Sequence, residues 1–171
     1  MAMIQNSGQL QLLKNTELDV SLADELRVPK REVMADVTFL YAGERPQSCL
    51  FFLSYYSPRL NGEESLSEYL NSMNSFFPLR DKASGEFLIV HADQILTVRE
   101  APLVEMSGSR PFRLVLQNGV ELKLRTSGPR HTWRSRPIDL LNGGERFVAF
   151  IQDDHSRIHV NKRHIARVEG L

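Results

Sequence analysis

The chain reads as mainly β: two tandem small barrels, each with a short inserted helix, behind an N-terminal helical segment. Three observations predict this class. Short β-rich runs recur between glycine and asparagine turn signals, at the close spacing of a small barrel. Apolar residues alternate, as at Leu114, Leu116, Leu122 and Leu124, the pattern of a half-buried strand. The same order of runs occurs twice, about 70 residues apart, the self-similarity expected of a duplicated unit.

The elements follow in order. Residues 1–34 form a head. Within it Leu18, Leu22 and Leu26 make one helical stripe, and Val28-Pro29 ends it. Such a helix packs on its own domain or presents its stripe to a partner. The first barrel spans 35–100. Its opening strand, 36–44, runs into the Gly43 turn, and 48–54 forms the second strand. Ser65, with Glu68 three residues on, is a capping box for a helix over 65–71. Strands follow at 76–80, 87–90 and 95–98. Residues 101–111 are a linker. The second barrel, 112–171, repeats the plan: a strand at 112–120 ending in Asn118-Gly119, a strand at 121–125, and a helix over 138–142 led by Pro137. Strands at 147–152, 157–160 and 165–168 complete it. Six identities hold the alignment: Leu70, Asn71, Phe76, Val90, Ile95 and Val98 match Leu141, Asn142, Phe147, Val160, Ile165 and Val168. A barrel of this size has a marginal core, so packing of the two copies, or an oligomer, removes further apolar surface from water.

Composition sets the outer limits. The chain has 171 residues, 42% hydrophobic and 25% charged, enough apolar material for a core and thus against a disordered chain. Its one cysteine, Cys49, cannot form an internal disulfide, which fits a reducing compartment. Cys49 lies in an apolar run and reads as a small buried hydrophobe; a nucleophile would need a histidine and an electropositive setting. No apolar run approaches the roughly 18–20 residues of a membrane span. The opening residues lack the basic and apolar regions of a signal peptide. A cytoplasmic protein without a membrane partner is expected.

The two copies resemble Sm-like and SH3-like small barrels. The segment Val160-Asn161-Lys162-Arg163-His164-Ile165 is similar to the last strand pair of bacterial Sm-like RNA chaperones, where a basic, histidine-containing turn joins the final strands. That resemblance implies a small barrel and an RNA-facing turn at Lys162, Arg163 and His164. Two features depart from it. The helix sits between strands two and three rather than before strand one, and the first copy carries His91-Ala92-Asp93-Gln94 in place of the basic turn. The spacing L-N, F-P-L, V-N-K-x-H-I-x-x-V also resembles a bacterial family of unassigned activity, which implies fold alone.

Net charge is zero only by cancellation. Residues 1–100 hold 9 basic and 14 acidic side chains, and residues 101–171 hold 12 and 7. An acidic first half and a basic second half attract each other, or their counterparts in another copy. The densest basic feature is 125–136, with Arg125, Arg130, His131, Trp133, Arg134 and Arg136. Arginine pairs with phosphate and stacks on bases, and tryptophan offers a stacking platform for single-stranded nucleic acid. The same residues suit a protein-interface hot spot or a solvated loop. His155, His159 and His164 lack metal-ligand spacing, and no GxSxG, P-loop or GxGxxG motif occurs. The expectation is a non-catalytic binding or assembly module without cofactor, acting through a protein partner or a homo-oligomer. The alternative is single-stranded RNA or DNA binding through the loop 125–136.

Overall fold

The structure, a computed structural model, describes residues 29–43, 45–57, 59, 61–101, 110–126 and 136–170. Among them, ten strands form one antiparallel sheet and two short α-helices interrupt it. The first run comprises β1 (Lys30–Phe39), β2 (Gln47–Ser54), α1 (Leu66–Leu70), β3 (Phe76–Asp81), β4 (Phe87–His91) and β5 (Ile95–Arg99). The second comprises β6 (Phe112–Leu116), β7 (Glu121–Thr126), α2 (Pro137–Leu141), β8 (Phe147–Gln152), β9 (Arg157–Asn161) and β10 (Ile165–Gly170). Residues 30–34, the end of the expected head, are the start of β1. The expected helix near 17–26, residues 102–109 of the linker and most of the basic loop lie outside the described residues. No described helix is long and apolar enough to cross a membrane.

Strand order across the sheet is β10-β6-β7-β8-β9-β5-β1-β2-β3-β4. Each run therefore has the same neighbour order, its last strand lying beside its first. The two runs meet where β5 pairs with β9, with Val98 opposite His159.

Local chemistry accounts for the helices and turns. In α1, the Glu68 amide donates to Ser65 Oγ at 3.2 Å and the Ser65 amide donates to Glu68 Oε2 at 3.0 Å, which satisfies two otherwise orphan donors. Pro137 opens α2, where its missing N–H costs nothing. Gly119 closes the β6–β7 hairpin at φ +88°, a conformation a Cβ disfavours.

The buried side chains form two clusters. The first gathers Phe39, Phe51, Leu53, Leu70, Phe77, Leu79 and Ile95, together with Phe147 of β8. The second gathers Leu114, Leu116, Leu124, Phe150, Ile158 and Val160, together with Leu96 of β5. Each run thus lends a side chain to the other's core: Phe147 packs on Phe77 with ring centroids 6.5 Å apart. Cys49 is buried within the first cluster. Burial, with the Asp81 and Asp36 charges, pushes its thiol up to about 11, so it is a hydrophobe rather than a thiolate.

This exchange couples the two runs in stability. Phe147→Ala should cost about 3–5 kcal/mol and Leu96→Ala about 2–5 kcal/mol, each lowering the midpoint of a single urea transition. Two separate transitions, with only one displaced, would contradict the coupling.

Candidate functional site

The residues singled out by charge are, where described, engaged within the chain. Lys162 Nζ donates to Leu141 O at 3.1 Å and also to Gly143 O, so it caps the C-terminal end of α2. Arg163 pairs with Asp93. His164 Nε2 donates to Asp93 O at 2.8 Å. Arg125 Nε lies 3.6 Å from Asp153, and Arg136 Nε lies 3.0 Å from Asp139 in the first turn of α2. Arg130, His131, Trp133 and Arg134 lie outside the described residues. Among the described residues no cluster of histidine, cysteine and carboxylate side chains could hold a metal ion.

Two of these contacts, Arg163–Asp93 and His164–Asp93, belong to a larger polar junction between the runs. Its principal parts are residues that charge and motif did not mark. The Asn71 carboxamide, just past α1, accepts from the Phe147 amide at 2.8 Å and donates to Phe147 O at 2.9 Å. It thereby pairs with a strand residue as a second backbone would, and holds the Phe147 ring in the first core. Asn161 is fully buried and donates to Ala92 O and Ile95 O, each at 3.1 Å. These bonds satisfy carbonyls at the β4–β5 turn, where burial without partners costs about 1–3 kcal/mol each. The Arg99 guanidinium reaches Asp36 at 2.8 Å within the first run and Asp154 at 3.6 Å in the second.

At the centre of the β5–β9 pair, fully buried His159 donates from Nε2 to Glu100 Oε1. Burial pushes the Glu100 carboxyl up, but the His159 bond and the His159 and Arg157 charges outweigh it and leave it below the ordinary glutamate value. In the sequence the repeated Leu70-Asn71 and Leu141-Asn142 mark only the duplication and two helix stops.

Among the described residues the sheet has two outer strands, β4 and β10, and both sides carry exposed apolar groups. On the β3–β4 side Phe76 is 57% exposed and Ile89 is 71% exposed. At the other end, Val168 of β10 and Ile138 of α2 are exposed. They border an open groove of about 750 Å³ between α2 and β10, floored by Phe112, Leu141 and Ile165 and rimmed by Arg110, Arg136 and Arg167. Edge strands with apolar faces are templates for further pairing. The arrangement can take up a strand and an apolar side chain.

No protein-family model, curated protein or solved structure matches this chain.

The Glu100–His159 bond predicts a pH dependence. Because the folded carboxyl titrates below the unfolded one, its contribution is full above the unfolded value and is lost as pH falls through the folded value. Glu100→Gln should cost about 1 kcal/mol near neutrality, the difference between a charged and a neutral hydrogen bond. That cost should be smaller in urea denaturation at about pH 3, below the ordinary glutamate value, where the contribution has begun to be lost. An equal cost at both pH values would contradict the assignment.

Proposed function

We propose that this protein is a non-catalytic assembly module of two tandem SH3-like or Sm-like small barrels, working through protein–protein contact and, first of all, self-association. The observation that carries the reading is the pair of outer strands, each with one free side among the described residues, flanked by exposed Phe76, Ile89, Val168 and Ile138. Contiguous apolar surface at a sheet edge marks interaction.

The matched order of the two runs supports duplication. So do recurring details. The Ala92 amide donates to Ser75 O in the first run, as the Lys162 amide donates to Arg146 O in the second. The turn after β4 is held by His91 Nδ1 accepting from the Asp93 amide, and that after β9 by Asn161 Oδ1 accepting from the Arg163 amide. The opposite charges of the two halves favour association between copies as well as within one.

Light scattering across a dilution series should give a mass above the 19.6 kDa of one chain, rising with concentration and indifferent to nuclease. A monomer at every concentration would overturn the proposal. A monomer that binds single-stranded oligonucleotide with a steep salt dependence, quenching Trp133 fluorescence, would put nucleic-acid binding through 125–136 in its place.

A further inference from the structure

The junction inside the chain supplies a template for a second one. Under the sequence alignment, β4 corresponds to β9 and β5 to β10. Inside the chain, β9 pairs with β5. The two strands left at the sheet's ends, β4 and β10, are the complementary halves of that same pairing. They stand at opposite ends of the strand order and do not pair with each other within the chain. A second copy can supply each with the other.

Residue by residue, the unpaired halves remain complementary. Phe147 is fully buried at the junction, whereas its counterpart Phe76 is 57% exposed. The side chain that holds the Phe147 backbone is Asn71; its counterpart Asn142 is exposed, just beyond α2. The open groove beside Asn142 has the apolar floor of a phenylalanine socket, with Ile138, Leu141 and Val168 around it. The polar pair of the junction, buried His159 with partly buried Glu100, has Ile89 and Gly170 as counterparts. Imidazole and carboxylate are lost together, so no buried charge would stand alone. The turn pair Arg163–Asp93 has as counterparts Asp93 of one copy and Arg163 of the other, opposite in sign and each already engaged within its own chain. His91 replaces Asn161. Its Nδ1 accepts from the Asp93 amide, which leaves Nε2–H to donate as the carboxamide did.

We propose that the chain assembles head to tail: β4 of one copy pairs antiparallel with β10 of the next, Ile89 opposite Val168, while Phe76 enters the groove between α2 and β10 and Asn142 of the neighbour binds its backbone. This rests on the self-association reading and names its partner, a second copy, and its register. The junction joins two different surfaces, so it carries no twofold axis and propagates until the copies close on themselves. It is looser than the internal one, because Ala166 stands where Leu96 fills the adjoining core. Association is therefore concentration-dependent.

The test uses two surface variants of the full chain, Ile89→Lys and Val168→Lys, each confirmed as folded by circular dichroism. Lysine at an edge strand blocks strand addition. Each variant alone should fall in light scattering to a complex with one lost junction per chain, a single-chain mass near 19.6 kDa. An equimolar mixture retains one intact pair of surfaces, β4 of the Val168→Lys chain and β10 of the Ile89→Lys chain, and should give a dimer of twice that mass. Asn142→Ala should raise the concentration at half-association about tenfold or more, as for the loss of a hydrogen bond worth about 1.4 kcal/mol. A wild-type monomer would overturn self-association as a whole. A wild-type oligomer that persists in either lysine variant, or a mixture that stays monomeric, would overturn the head-to-tail register alone.

Discussion

The structure depends on the grip of Asn71 on the backbone of Phe147. Two hydrogen bonds from one carboxamide fix a strand residue 76 positions away and seat its ring in a core built by other strands. Leu96 makes the return exchange into the second core. A unit of about 60 residues buries too little surface to be comfortable alone. Sharing side chains across a continuous sheet lets each run use apolar area that neither encloses by itself. Several polar groups around the exchange find partners across it: Asn161 serves two carbonyls, His164 a third, and Glu100 accepts from Nε2 of His159.

A junction of this kind has a consequence for what lies at the two ends of the sheet. Closing one seam between two similar runs leaves one unused strand on each. In the first run that side shows Phe76 and Ile89; in the second it shows a groove bordered by Ile138 and Val168. The contrast between buried Phe147 and exposed Phe76, at matched positions, is a physical asymmetry that water penalises by roughly 1.5–3 kcal/mol per large apolar side chain. The proposed assembly would account for such groups on the surface, and the basic rim of the groove against the acidic first half would give that contact a direction.

Much of the strand pattern was legible because its signals are local. Alternating leucines in β6 and β7, Gly43 and Gly119 at turns, Ser65 with Glu68 and Pro137 each act within a few residues. The site was less legible because its partners are distant in sequence. Asn71 reads locally as a helix stop, and only the fold brings it to Phe147. Glu100 and His159 are 59 positions apart and carry no motif. Lys162, Arg163 and His164 announce their charge type, but not that Leu141 O, Asp93 and the Asp93 carbonyl engage them. Charge is written in the residue; its counter-ion is written in the topology.

Hydrogen exchange of backbone amides across a concentration series tests the central claim most directly, since it reads strand pairing at each edge. The account predicts that amides of β4 and β10, around Ile89 and Val168, gain protection together as concentration rises, while those of β5 and β9 are protected throughout. Exchange at β4 and β10 that is fast and independent of concentration, or protection gained at one edge without the other, would contradict it.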